Sequence, residues 1–369
     1  MKIGVEAERA NIANPTGVEH YAAELIKNLA KLDHVNEYIL YFRTKPQDWF
    51  LKLPPNFKLK VIPFPKFWTQ TRLAFELMIH PVDIFLLPIQ ALPFFHPRKS
   101  IIMAHDIAYE FFTEAFTPFM LFYLKLTTRF GVRFAKKIMS ASEATKKDIV
   151  RIYKIDPSKI QVTLLAMDPN KYKPLSYGEV QPVLDKYGLV YKKYILFIGT
   201  LQPRKNIIRL VDAYIKLRKE NRIEEKLIIA GGKGWLWEPI IKKIKESGMG
   251  ENVKHIGYVD ELDKPALYNG AVLTTLPALY EGFGLPPLES MACGTPTVVS
   301  NLSSLPEVVG DAGKLVDPKS IDSIAQGILE VLTNQELQKD LSQKGLARSK
   351  LFTWEKTARE TLAVIESLK

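Results

Sequence analysis

Residues 194–206 read Y-I-L-F-I-G-T-L-Q-P-R-K-N. The five residues Tyr194–Ile198 are apolar without interruption, which suits a strand covered on both faces in a parallel sheet. Gly199 and Pro203 break the run, and apolar residues then recur at helical spacing over 206–219. The same alternation continues downstream. Strands are expected at 226–230, 253–256, 271–276 and 297–300, with helices at 239–247, 264–269 and 286–293 between them. Upstream, strands are expected at 2–7, Glu37–Phe42, 58–63, 83–87, 100–104 and 137–141. Gly17–Leu32 and 144–153 carry apolar residues at helical spacing. Alternating strands and helices imply an α/β fold with parallel sheets, and two such runs imply two doubly wound domains. The expected division is 1–173, 174–350 and a final helix in 351–369. A polar linker carrying Pro169, Pro174 and Pro182 is expected at 168–182.

Length and composition fit this reading. A chain of 369 residues can bury two cores. The single cysteine, Cys293, excludes a disulfide framework and a structural zinc site, and a lone thiol suits a reducing compartment. The opening M-K-I-G-V-E-A reads as a buried strand rather than a signal peptide, and no run of eighteen apolar residues spans a membrane. The net charge is +11, and it is unevenly spread. Residues 1–175 hold 25 Lys and Arg against 16 Asp and Glu, leaving only +2 for the remainder. Such asymmetry reads either as a half that faces an anionic partner or as a generally solubilising surface.

Five stretches carry chemistry. Residues 281–289 read E-G-F-G-L-P-P-L-E. Gly282 and Gly284 let the backbone approach a ligand, Pro286 and Pro287 suit a first helical turn, and a helix N-terminus favours anions. Arg204 and Lys205 follow a strand end, where open parallel sheets bind ligands, and two adjacent cations suit a diphosphate, although standing alone they read as a solvated basic turn. The turn N-P-T-G-V-E-H-Y, residues 14–21, leads into the first helix like half of a phosphate-cradling loop. It is neither a G-x-G-x-x-G fingerprint nor a P-loop. A-H-D, residues 104–106, ends an apolar strand, and its histidine reads equally as a cleft group or a structural residue. Residues 111–137 hold eight aromatics. Lys125, Arg129, Arg133 and Lys137 recur there every four residues, as on one helical face. That stretch reads two ways: a helix lying on an anionic membrane, or a core helix with a solvated basic stripe. The six histidines show no metal-ligand spacing, so no metal site is expected.

Taken in this order, these motifs resemble the family-four retaining glycosyltransferases over nearly the whole chain, most strongly from residue 194 to 318. The resemblance implies a GT-B fold: two Rossmann-like domains facing across a cleft, with the last helix crossing back to the first. It implies that Glu281 lies near the donor sugar and Glu289 near the ribose, and that Arg204 and Lys205 hold the donor diphosphate. It places His105, with Asp106, near the acceptor. Gly257, Tyr258 and Val259 would pack on the base. Gly17 matches the N-terminal glycine loop, where the family often has a second glycine and this chain has Thr16. The backbone around Gly199, Thr200, Gly282, Phe283, Gly284 and Leu285 would approach the nucleotide sugar. M-K-I-G-V-E-A, T-G-V-E-H-Y and L-P-F-F-H-P further resemble bacterial and archaeal mannosyltransferases of surface-polysaccharide assembly. That implies GDP-mannose as donor, a glycan or lipid-linked acceptor, no separate cofactor and a peripheral place on the cytoplasmic face of a membrane. A nucleotide-sugar epimerase shares the architecture, and another donor such as UDP-glucose would use the same motifs. The basic pI of 9.3 raises nucleic-acid binding, but no recognised module is present.

Overall fold

The computed structural model describes residues 1–13 and 17–369. The chain forms two compact units, Met1–Ala166 with Thr353–Lys369, and Met167–Phe352.

Among the described residues the first unit has seven strands: β1 Lys2–Glu6, β2 Glu37–Phe42, β3 Phe57–Val61, β4 Ile84–Leu87, β5 Ser100–Ala104, β6 Lys137–Ser140 and β7 Ile160–Val162. All pairs are parallel, in the order β3-β2-β1-β4-β5-β6-β7. Its helices are α1 Gly17–Leu32, α2 Ala74–Ile79, α3 Pro118–Phe134 and α4 Glu143–Tyr153. β4 and β5 are buried at every residue, which is why their sequences are nearly continuous apolar runs.

The second unit begins its secondary structure with α5, Tyr177–Tyr187. Six strands follow: β8 Tyr194–Ile198, β9 Lys226–Ala230, β10 Val253–Gly257, β11 Leu273–Leu276, β12 Thr297–Ser300 and β13 Lys314–Val316. They are parallel in the order β10-β9-β8-β11-β12-β13. Between and after them lie α6 Ile207–Lys219, α7 Glu238–Lys245, α8 Lys264–Gly270, α9 Leu285–Ala292, α10 Leu305–Val309, α11 Ile321–Thr333 and α12 Gln335–Ser349. In both sheets the third strand back from the edge neighbours a strand that restarts the order on its other side. Each unit therefore has a switch point, between β1 and β4 and between β8 and β11.

The last helix, α13 Trp354–Glu366, belongs to the first unit, as the resemblance implied. The Trp354 ring meets His20 edge-on at 5.6 Å and lies 6.2 Å from Tyr21, both on α1. Thr357 donates to the Leu164 carbonyl at 2.8 Å, pinning the helix to the chain just after β7.

Two sequence expectations need correction. The linker expected to run to residue 182 ends earlier, because α5 starts at Tyr177. The Glu179 carboxylate accepts from the Ser176 amide at 2.8 Å and from its hydroxyl at 2.7 Å, a capping box that starts a helix despite Pro182 within it. Lys137 does not share a helical face with Lys125, Arg129 and Arg133, since α3 ends at Phe134 and Lys137 opens β6.

Gly131 shows how tightly α3 sits on the loop after β4. A Cβ at this position would lie 2.1 Å from the Gln90 carbonyl oxygen, a backbone atom that cannot turn aside. Helix propensity favours alanine over glycine by about 1 kcal/mol. Overpacking against backbone costs roughly 1–3 kcal/mol. We expect Gly131→Ala to lower the melting temperature of the protein, and a raised one would contradict the close approach.

Candidate functional site

The most chemically dense region of the second unit lies beyond the carboxyl ends of β8 and β11, at the switch point. Two loops meet there. The first follows β8 and ends at Asn206, whose φ of 61° is left-handed. The Asn206 side-chain amide donates to the carbonyls of Pro277, at 2.9 Å, and Pro318, at 2.6 Å. The second loop follows β11, and its Leu279 amide donates to the Arg204 carbonyl at 2.8 Å. The two loops are therefore fixed to each other by main-chain and amide hydrogen bonds.

This brings the adjacent Arg204 and Lys205 to Glu281, which is distant in sequence. The Arg204 guanidinium donates to the Tyr280 carbonyl at 3.1 Å and reaches Glu281 Oε2 at 3.3 Å. The Lys205 ammonium pairs with Glu281 Oε1. Lys205 and Glu281 are both buried, at 7% and 6% exposure. Burial alone would raise the Glu281 pKa, but Lys205 and Arg204 outweigh it and hold the carboxyl below its usual range. The trio carries two positive charges and one negative. It presents a net cation at a switch point, where an anionic ligand is favoured.

Glu281 is held from its backbone as well. Its carbonyl accepts from the Ser303 hydroxyl at 2.5 Å and the Ser304 hydroxyl at 2.9 Å, and Ser304 also donates to the Phe283 carbonyl. Gly284 has a φ of +127°, and a Cβ there would lie 2.8 Å from a Leu305 methyl. The buried Phe283 ring packs edge-on against Phe352 at 5.9 Å. Leu285 is the first residue of α9. Sequence reasoning passed over Asn206, Ser303 and Ser304. They stand in ordinary turn composition, and only the fold reveals what they hold.

Glu289 occupies a different setting one helix away. The Tyr268 hydroxyl donates to its Oε2 at 2.7 Å. Burial raises the Glu289 pKa, against the pull of Lys264 and the Tyr268 hydrogen bond. The two glutamates are thus pushed in opposite directions, Glu281 toward the anion and Glu289 toward the acid. Glu261 lies close by, bridged by Lys171 at 2.7 Å and by Lys264.

At the end of β10, Gly257 adopts a φ of +78°, and its carbonyl accepts from the Gly231 amide at 2.7 Å. Tyr258 is 66% exposed, while Val259 is buried. Of that turn, Tyr258 is the side chain available to stack on a ligand. Gly231 is forced to be glycine, since a Cβ there would fall 2.0 Å from the Gly199 carbonyl oxygen. Gly199 and the exposed Thr200 line the same loop edge.

In the first unit, His105 follows β5. Its Nε2 lies 2.9 Å from the Pro88 carbonyl, which can only accept, so Nε2 carries the proton and Nδ1 keeps the lone pair. Burial lowers the His105 pKa, leaving the ring neutral near pH 7. Tyr21 packs edge-on against it at 4.8 Å. Asp106 caps its own turn, accepting from the Ala108 amide at 3.0 Å. Gly17 opens α1, whereas Asn14, Pro15 and Thr16 of the glycine turn lie outside the described residues. Among the described residues, no three His, Cys, Asp or Glu side chains converge as metal ligands. None of the described helices is long and apolar enough to cross a membrane.

Comparison with known proteins agrees with this architecture. Residues 185–348 match the family model of glycosyl transferases group 1, and residues 15–171 match that of glycosyltransferase family 4. The chain is 33% identical to the O-antigen chain mannosyltransferase B of Escherichia coli, over 94% of this chain and 95% of the relative. It shares its fold with a sucrose-phosphate synthase from Thermosynechococcus elongatus, at 18% identity and a TM-score of 0.78, covering 100% and 99% of the two chains. It likewise shares the fold of the Anabaena protein HepE, solved with UDP-glucose, at 19% identity and a TM-score of 0.77 over the whole of both chains. Two doubly wound units with a returning final helix, matched end to end by a relative of this identity, make the chain a GT-B glycosyltransferase of the group 1 and family 4 type.

Proposed function

We propose that the chain is a retaining, metal-independent mannosyltransferase. It takes mannose from GDP-mannose and delivers it to a glycan or a lipid-linked acceptor. The observation that carries this is the Arg204–Lys205–Glu281 trio at the second unit's switch point. Preorganised cations stabilise a departing diphosphate without a metal ion. The likeness to the Escherichia coli mannosyltransferase supports mannose as the sugar.

In this reading the second unit binds the donor. Arg204 and Lys205 hold its diphosphate, and Glu281 orients the sugar hydroxyls. Glu289 meets the ribose, and the turn at Gly257, Tyr258 and Val259 meets the base. The backbone of Gly199, Thr200, Gly282, Phe283, Gly284 and Leu285 approaches the nucleotide sugar. The first unit receives the acceptor near His105, with Gly17 at the head of α1. The bond from the anomeric carbon to the diphosphate breaks while the acceptor oxygen bonds to that carbon on the same face. The acceptor proton passes to the leaving diphosphate. The enzyme works in the cytoplasm at the membrane surface, with 111–137 toward anionic lipid.

The test is transfer from radiolabelled GDP-mannose to a mannose-terminated lipid-linked glycan in excess EDTA, with UDP-glucose as the rival donor. Undiminished transfer with the anomeric configuration of the donor is expected. Inversion, a preference for UDP-glucose, or loss in EDTA restored by manganese would each refute the part it addresses.

A further inference from the structure

Three stretches of the first unit contain no acidic residue at all: 49–75, 84–105 and 115–142. They hold five, two and five Lys or Arg respectively, which is where the excess charge of this half arises. The same stretches carry most of the unit's exposed large apolar side chains. Phe67, Phe75, Phe95, Phe119, Phe122 and Phe134 are all more than half exposed. No phenylalanine of the second unit is exposed.

The three stretches adjoin one another. Gln70 donates to the Leu92 carbonyl at 3.2 Å and accepts from the Phe94 amide at 3.0 Å, joining the first to the second. Phe94 meets the Phe130 ring edge-on at 4.8 Å, and Phe130 lies 4.6 Å from Phe134, joining the second to α3. Gln70 itself lies in a π-helical turn, Thr69–Leu73, at the head of α2. In α3 the buried residues are Thr127, Thr128, Gly131 and Val132, all in its second half. The first half seats Leu121 and Leu124 partly against the core and leaves Phe119, Met120, Phe122 and Leu126 exposed.

We propose that these three stretches form one docking face for an anionic lipid bilayer. This rests on the membrane reading given above for 111–137 and extends it to the segments around Phe67 and Phe95. Aromatic rings enter the interface between headgroups and acyl chains, and Lys and Arg heads remain at the phosphates. Within the stretches no carboxylate is repelled by the same surface, and the bordering Glu76 and Glu110 are partnered by Lys60, Arg72 and Lys125. A face of phenylalanine and basic residues, with the bordering Glu76 and Glu110 neutralised, is complementary to anionic headgroups.

The test is co-sedimentation of the full chain with vesicles of phosphatidylcholine alone, or mixed with phosphatidylglycerol, at low and high salt. Two double variants are compared, Phe67→Ser with Phe95→Ser and Arg129→Glu with Arg133→Glu. All four side chains are exposed, and melting temperatures check that the folds are kept. Binding is expected only with phosphatidylglycerol, weakened by salt, and reduced about tenfold or more by either pair. Transfer of mannose to a water-soluble acceptor should be unchanged in the Phe67/Phe95 variant. Normal binding by that variant overturns the three-stretch face and leaves α3 alone. Absence of binding to both vesicle types, or a vesicle-free dimer that the Phe67/Phe95 pair abolishes, overturns the lipid partner. Vesicle binding without transfer from GDP-mannose would instead refute the donor reading and leave the face intact.

Discussion

Lys205→Ala should lower turnover by on the order of a hundredfold or more, the usual loss when a preorganised electrostatic stabiliser is removed. It should also destabilise the second unit. Lys205 and Glu281 are a buried ion pair, and removing Lys205 leaves Glu281 with Arg204 alone, so the loss should fall below the roughly 3–5 kcal/mol of a fully stranded buried charge. Loss of activity in the single variant would therefore mix two causes. The double variant Lys205→Met with Glu281→Gln separates them. It removes both charges at nearly constant volume, so stability should largely return while turnover stays low. Arg204, at the more exposed edge of the trio, should lose turnover on replacement by alanine with a smaller loss of stability. The measurements are steady-state transfer rates and denaturant midpoints on the same preparations. Recovery of turnover in the double variant would show that Lys205 only neutralises Glu281 and has no part in holding a diphosphate.

The second large effect is on pH dependence. Glu6, the last residue of β1, is 2% exposed. Burial lifts its pKa from 4.5 to about 7, opposed by Arg9 and reinforced by Glu8. The folded state thus keeps a proton that the unfolded chain has already lost. The sign follows from linkage: stability is full below about pH 4.5, declines between 4.5 and 7, and is level above. The span corresponds to about 3 kcal/mol. Glu6→Gln is neutral at every pH and should remove this decline, so the variant gains on the natural protein as pH rises from 5 to 8. Glu289 and Glu360, whose pKa values are also raised, contribute equally to both proteins and cancel in the difference. A constant difference between the two denaturation midpoints across that range would mean that Glu6 is not protonated in the fold.

Much of the architecture could be read without coordinates, for a physical reason. A parallel strand covered on both faces has no room for polar residues, so Tyr194–Ile198 and Ile84–Leu87 stand out as unbroken apolar runs. Helix starts were less legible where two signals competed. At residues 174–182 the prolines suggest a linker, yet Ser176 and Glu179 cap each other and start α5. The spacing of four from Lys125 to Lys137 looked helical throughout, but periodicity cannot say where a helix stops, and α3 ends before the last of the four. The meeting of Arg204 and Lys205 with Glu281 spans more than seventy residues of sequence. No local pattern encodes it, and it entered the reading only through family resemblance. That Lys205 is buried rather than open to solvent was beyond any sequence pattern, because it depends on how the loop after β11 closes over it. Asn206, Ser303 and Ser304 escaped notice for the same reason: their partners are carbonyls, which carry no residue identity.

The return of α13 to the first unit sets the order in which the protein can be completed during synthesis. The ribosome makes β1 to β7 first, then the whole second unit, and only afterwards the helix that carries Trp354 and Thr357. Until then the ring of Tyr21, which packs on His105, lacks the Trp354 contact. The second unit is continuous in sequence and can close as soon as it emerges. The first unit, although made first, must wait some 190 residues between the end of β7 and Trp354 for its last piece. The nascent first unit is the one that carries the exposed phenylalanines, so the interval before α13 docks is when this chain is most open to association with other chains.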